Sequence, residues 1–216
     1  CVNYENDPPT VMQLPFTPGD YETGGNLPYG DLATTLFPDL TAWIAREFPS
    51  YAEPTAEDYD PGSGPVTCGS TTVNEADAED KAFYCASDRT VRWDGPWLEG
   101  INSTTGDFAS SLLVGMQYGV ALQSQLGESD DDIGSEDGIQ QRVCLMGSYA
   151  GSLVQEFPNP QQHEITISGG DLDEALTALI AFTDRSQTGS TGSSLAFDRI
   201  EAFQNGVLEG TSACGF

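Results

Sequence analysis

Hydrophobic residues recur every three or four positions over much of the chain, which is typical of amphipathic helices. The clearest stripes run through residues 107–127, 138–157, 171–182 and 193–210. Each of these segments predicts a helix. Acidic residues in the first turn of the third segment complement the helix dipole. The fourth segment opens with serines suited to an N-cap and ends at Gly210.

The N-terminal part divides into a tail and a helical segment. Residues 1–30 are rich in Pro, Gly and acidic side chains without sustained periodicity, which predicts an extended tether. Residues 31–48 carry apolar side chains at helical spacing, although Pro38 must kink this helix or start a second one. We therefore predict a tether over 1–30 and one folded domain over 31–216.

Between the early and late helices the pattern changes. Residues 49–80 lack a clear period and predict irregular structure, with a linker-like stretch at 54–65. Residues 82–85 and 90–94 resemble two short strands. The chain is accordingly predicted to be α+β and mostly helical, with a small β-sheet and an extended N-terminal tail.

Charge narrows the range of partners. The 216 residues include 34 Asp and Glu against 7 Lys and Arg, a net charge of −27. Such a surface excludes nucleic-acid binding and docking onto anionic lipid through a basic patch. It is typical of an exported protein and suits high salt, where screening relieves self-repulsion. With 38% hydrophobic residues the chain still has enough apolar material for a core.

The densest acidic residues lie at 128–132 and 136–137 and invite a calcium interpretation. The spacing does not fit an EF-hand loop, because Ile133 and Gly134 stand where ligands are needed. We interpret this stretch as a solvated loop. Because the sequence has a single histidine, His163, a metal site with two His ligands is excluded. His163 lies in a polar stretch that is typical of a surface loop.

The five cysteines point to export. The sequence opens on Cys1, as a bacterial lipoprotein does after cleavage of its signal peptide, and we expect this cysteine to be acylated. A fragment that begins at a cysteine is the alternative. The other four can form two disulfides in an oxidising compartment, with three possible pairings. We favour Cys68–Cys85, which flank a short acidic insert, together with Cys144–Cys214.

Several segments, in their order along 31–216, resemble one family. One block carries Cys68, Gly69, Phe83, Tyr84, Cys85, Asp88, Val91 and Asp94. A second is the GDLDEA segment at 170–175, and a third carries Arg199, Phe203, Gly206, Gly210 and Cys214. These blocks are similar to those of the bacterial neutral zinc metallopeptidases. The resemblance implies a zincin-like fold for the domain.

The zinc helix of that family reads approximately A-H-E-Y-G-H-H-V-Q, and residues 115–123 correspond to it. Tyr118, Gly119 and Gln123 match, which sets the register. In an H-E-x-x-H helix two imidazoles one turn apart bind zinc, and the glutamate between them takes a proton from the metal-bound water.

In that register the residues that would bind zinc and accept the proton are replaced. Met116 offers a thioether, Gln117 has no carboxylate to act as general base, and Val120 has no donor atom. In the downstream helix Val143 and Gly147 replace the two acids of the family. The resemblance thus predicts no zinc, no other cofactor and no catalytic residue. The apolar side chains at 116 and 120 are expected to pack where the metal site would be.

We therefore expect a catalytically inactive, metallopeptidase-like lipoprotein. It would be anchored through acylated Cys1 to the outer face of a bacterial cell membrane and act as a binding or accessory subunit of a membrane protein complex. One alternative is a divergent secreted peptidase or hydrolase with a relocated active site. Another is a peptide-binding module that uses the former substrate cleft beside residues 90–94 by strand addition.

Overall fold

The fold was analysed in a computed structural model. It describes residues 27–73, 78, 81–154, 165, 167, 169–183 and 192–216. Most of the predicted tether, with Cys1, and the loop that holds His163 lie outside the described residues. The described part is an α+β fold that is mostly helical and has a small mixed sheet, as the hydrophobic pattern predicts.

The helices of the described part follow the apolar stripes closely. They are α1 (Tyr29–Asp31), α2 (Phe37–Glu47), α3 (Gly95–Thr104), α4 (Asp107–Leu126), α5 (Asp130–Gly134), α6 (Glu136–Leu153), α7 (Gly169–Thr183) and α8 (Gly192–Glu209). A π-helical turn, Leu32–Leu36, joins α1 to α2, and a 3-10 turn, Gly210–Ala213, follows α8. Pro38 is the second residue of α2, in the first turn, where proline is tolerated. None of the helices described here combines the length and the hydropathy that a membrane crossing requires.

The main sheet has three strands in the order β1 (Thr55–Tyr59), β5 (Thr90–Asp94) and β4 (Ala82–Cys85). β1 runs parallel and β4 antiparallel to β5, with Tyr84 opposite Val91. The predicted linker at 54–65 is wrong, because it contains β1. β1 is exposed along almost its whole length, so its sequence carries no apolar alternation that could identify a strand.

Two smaller elements complete this side of the molecule. β2 (Val66–Cys68) and β3 (Thr71–Val73) form an antiparallel hairpin. The disulfide between Cys68 and Cys85 ties this hairpin to β4, with a Cα separation of 5.5 Å. This pairing, and that of Cys144 with Cys214, confirm the favoured disulfides.

One hydrophobic core joins the sheet to the helices, with α4 at its centre. Its largest fully buried side chains include Phe37, Leu40, Leu98, Phe108, Tyr118, Leu122, Met146 and Tyr149. α3 is an element that the sequence analysis missed. It begins directly where β5 ends, with Asp94 accepting a hydrogen bond from the backbone N–H of Trp97 at 3.1 Å as its N-cap.

α6 and α8 run in the same direction and touch through their backbones. A Cβ atom at Gly147 would collide with the backbone of Phe203, and one at Gly151 would lie 2.5 Å from the carbonyl oxygen of Val207. Gly206 on α8 approaches α6 in the same way. The disulfide Cys144–Cys214 joins α6 to the end of the 3-10 turn that follows α8. Glycines at the crossing therefore set the distance between these two helices.

The dense acidic stretch is a helix, and the loop interpretation is wrong in that respect. Ser129 caps α5 and Ser135 caps α6, each accepting a hydrogen bond from a backbone N–H. The acids in the first turns of both helices are favoured by the helix dipole. Asp130 and Asp131 are exposed, so this stretch is solvated as predicted.

Residues 27–30, assigned to the tether by their composition, pack with the folded part. The N–H of Leu27 donates to Asp107 at 2.7 Å, and its carbonyl accepts from Asn102 at 3.2 Å. The hydroxyl of Tyr29 accepts a hydrogen bond from the indole of Trp93 at 3.2 Å. These contacts attach the chain to α3, α4 and the sheet.

Candidate functional site

The face of α4 that the resemblance assigns to zinc is half-buried. Met116 and Val120 lie one turn apart, Gln117 follows Met116 directly, and Met116 packs against the core. The neighbouring face of α4 is occupied differently, because Gly115 and Gly119 contact side chains of α6. The structure therefore presents a thioether, an amide and an isopropyl group at the edge of the core.

The other two predicted positions lie on α6. Val143 is fully buried in the core, and Gly147 faces α8. An acidic side chain at 147 would enter the crossing of α6 and α8, since its Cβ would meet the backbone of Phe203. Gly147 thus lies at the contact between α6 and α8.

The strand at residues 90–94, β5, offers no free edge for the predicted strand addition. β5 is the central strand, with β1 paired on one side and β4 on the other, so its hydrogen-bonding edges are both occupied. Among the described residues β4 pairs only with β5, and it packs beside α4. A peptide that extends this sheet next to α4 would have to pair with β4.

A cluster of three carboxylates, which we call the acid cluster, is formed by Asp107, Asp171 and Glu174. One oxygen from each lies within 4.8 Å of the others, and within the described residues this is the group of side chains that could hold a metal ion. Asp107 begins α4, and the other two lie near the start of α7. The cluster therefore forms where two helix N-termini meet.

Backbone N–H groups occupy part of the acid cluster. The N–H of Phe108 donates to Glu174 at 3.0 Å, so a side chain of α7 caps the start of α4. Asp107 accepts from the N–H of Leu27 through one oxygen, while its other oxygen is buried with no hydrogen-bond partner among the described residues. Gly106 has φ of +129°, and a Cβ there would collide with the carboxylate of Glu174. Glycine at 106 thus permits this close approach.

Burial and mutual repulsion raise the pKa values in the cluster. The pKa of Glu174 rises to about 7, first because burial disfavours the carboxylate and then because Asp107 and Asp171 are close. Burial, together with the charge of Asp171, also raises the pKa of Asp107. Carboxylates suit a hard cation such as Ca²⁺. Here, the helix N-termini and partial protonation of Glu174 near pH 7 offset part of the charge, so we interpret the cluster as a structural contact between α4 and α7.

The sequence analysis did not find the acid cluster. It identified the acids at the start of 171–182 as partners of a helix dipole, which is one part of their role. The contact between the beginnings of α4 and α7 joins residues more than sixty positions apart, and periodicity carries no information about such contacts.

No protein-family model, no curated protein and no solved structure matches this chain. The resemblance to zinc metallopeptidases therefore stays a prediction.

Proposed function

We propose that this protein is a non-catalytic binding or accessory domain of an extracytoplasmic membrane complex. The observation that carries the proposal is the half-buried face of α4. Where a metallopeptidase would need two imidazoles and a carboxylate, this face carries Met116, Gln117 and Val120. These groups do not fit a hydrolytic zinc ion, because a thioether is a poor ligand for Zn²⁺ in such a site and an amide cannot accept the proton of a metal-bound water.

The cysteines support the location. Two disulfides are consistent with an oxidising, extracellular compartment. They consume four of the five cysteines of this sequence. The proposal includes attachment of the protein to membrane lipid through an acylated Cys1, which would concentrate it at the membrane beside its partner complex.

Metal content tests the loss of catalysis. We expect the purified protein to contain far less than one zinc ion per chain and to show no chelator-sensitive proteolysis. The variant Met116→His/Gln117→Glu/Val120→His should gain zinc binding, since it places two imidazoles one turn apart. Met116→His/Gln117→His is the matched control, because adjacent side chains on a helix do not face each other. Stoichiometric zinc in the wild type would overturn the proposal.

Membrane extraction tests the location and the partner. Mass spectrometry of protein extracted from its native membranes should find a lipid on Cys1, and Cys1→Ser should release the protein from the membrane fraction. Mild detergent should recover the wild type together with other membrane proteins. Recovery of the protein alone would contradict an accessory role.

A peptide-binding function is the second candidate, and β4 is the observation that favours it. Among the described residues this strand has one unpaired edge, and it packs beside α4. Strand addition there would supply main-chain hydrogen bonds to a peptide. Backbone amide shifts confined to β4 upon peptide addition would distinguish this function from a relocated hydrolase, which would instead turn over a substrate.

A further inference from the structure

A groove of about 480 Å³ lies between α6 and α8, on the opposite side of α6 from the core. This volume is in the range of sites that hold small ligands or side chains. The groove is lined by Asp137, Gln140, Gln141, Cys144, Asp198, Glu201, Ala202, Asn205, Ala213 and Cys214. It is separate from the α4 face and from the acid cluster.

The walls of this groove are regular and fixed. Residues 137, 140, 141 and 144 line it from α6, and residues 198, 201, 202 and 205 line it from α8. Each set has the i, i+3, i+4, i+7 spacing of one helix face. Backbone contacts at Gly147 and Gly206 hold the two helices together, and the buried disulfide Cys144–Cys214 lies beneath. The groove is therefore formed before any ligand arrives.

The charge of the lining is one-sided. Asp137, Asp198 and Glu201 contribute carboxylates, and none of the lining residues is basic. The nearest arginine on α8, Arg199, is bound to Glu136 through two contacts of 2.7 and 2.8 Å. The three groove carboxylates form no ion pair with a described residue. They are thus available to a cation from outside.

The other polar groups favour a peptide over a bare cation. The side-chain amides of Gln140 and Asn205 line the groove and form no hydrogen bond with a described residue, so they are free to bond a main chain. Gln141 is already engaged, since it donates to the carbonyl of Gly215 at 3.0 Å. The methyl groups of Ala202 and Ala213 offer contacts for the apolar stem of a lysine or an arginine.

We infer that this groove binds a basic segment of a partner protein, with Lys or Arg side chains paired to Asp198 and Glu201. Each wall covers seven helical steps, or about 10 Å, which matches about three residues of an extended peptide. Two basic residues separated by one other residue would point to the same side, towards Asp198 and Glu201 on the α8 wall. The inference goes beyond the proposed function, because it assigns a surface and a partner chemistry independently of the α4 face.

Binding of a fluorescent Arg-Ser-Arg peptide to the full chain tests this inference at near-physiological salt. Asp198→Asn/Glu201→Gln removes two groove charges with little change of shape, and we expect it to weaken binding about tenfold. Asp130→Asn/Asp131→Asn removes the same charge from exposed positions on α5 and should change affinity less than about twofold. In the wild type, NMR signals of the side-chain amides of Gln140 and Asn205 should shift upon binding.

Three results would overturn the inference. The first is an equal loss of affinity in both double variants, which would mean that the peptide only responds to the overall charge of −27. The second is the absence of saturable binding at this salt. The third is tighter binding of spermine than of the peptide, which would identify a small polyamine as the ligand. Circular dichroism and thermal unfolding verify that both double variants fold, and neither changes a buried residue.

Discussion

Replacing Gly147 with alanine tests the backbone contact that joins α6 to α8. In an isolated helix this substitution would stabilise by about 1 kcal/mol, because alanine has the higher helix propensity. In this fold the new Cβ would lie 2.8 Å from the carbonyl carbon and 3.0 Å from the Cα of Phe203, and closer still to its carbonyl oxygen. Ordinary contact begins at 3.4 Å, so the two helices would have to separate.

The expected magnitude follows from these opposing effects. Overpacking a core costs about 1–3 kcal/mol. The upper end applies here, because the colliding atoms belong to a backbone and cannot rotate away. After subtraction of the propensity gain we expect Gly147→Ala to lower the free energy of unfolding by about 2 kcal/mol. For a chain of this size that corresponds to a decrease in Tm of about 4–8 °C.

Urea unfolding with the disulfides intact measures this change. Gly100→Ala is the matched control, since Gly100 is an exposed residue of α3 whose new Cβ would meet nothing within 4 Å. The control should be more stable than the wild type by about 0.4–1 kcal/mol. The same chemical change should thus have opposite signs at the two positions. A Gly147→Ala variant as stable as Gly100→Ala would refute the proposed packing of α6 against α8.

Two further predictions concern buried polar groups. Because the folded-state pKa of Glu174 is raised to about 7, protonation favours folding, and its contribution to stability is lost as pH rises towards and through 7. At pH 8, Glu174→Gln should therefore be more stable than the wild type by on the order of 1 kcal/mol, a modest value because solvent partly screens the carboxylate. At pH 5 the two proteins should be equally stable. Urea unfolding at both pH values measures the difference. The hydroxyl of Tyr51 is buried without a partner among the described residues, so Tyr51→Phe should be neutral or stabilise by up to about 1 kcal/mol. Tyr149→Phe removes a buried hydrogen bond of 2.8 Å to Asp39 and should destabilise by about 1–3 kcal/mol in thermal unfolding. Equal stability of the two Phe variants would contradict this assignment.

Local sequence signals identified elements that pack in the hydrophobic core. Leu112 and Leu122 recur at helical spacing because one side of α4 packs in the core, so the hydrophobic period located the helix. The glycine at 127 has φ of +88° and ends α4 in the left-handed conformation, in agreement with the predicted boundary. β5 is buried at every position, and its apolar and aromatic residues marked it as a strand.

Features that form only through contacts between distant parts of the chain were not predicted. β1 is a strand because β5 offers it a parallel edge, and its exposed residues leave no periodic trace. The acid cluster exists because α4 and α7 begin at the same place, which depends on tertiary packing. The groove between α6 and α8 likewise depends on a helix crossing at Gly147 that is invisible in either helix alone.

Gly147 bears both on the loss of the metal site and on the groove between α6 and α8. In the metallopeptidase register this position would carry an acid directed at a metal, whereas here it has no side chain and contacts the backbone of Phe203. An aspartate at 147 would insert a carboxylate into that crossing and force α6 and α8 apart. Moving the helices apart would also increase the distance between Asp137 on α6 and Asp198 on α8, and the shape of the groove depends on that distance. Close helix packing and presentation of a metal ligand are therefore mutually exclusive at this position, and the packed arrangement is the one that leaves a preformed acidic groove.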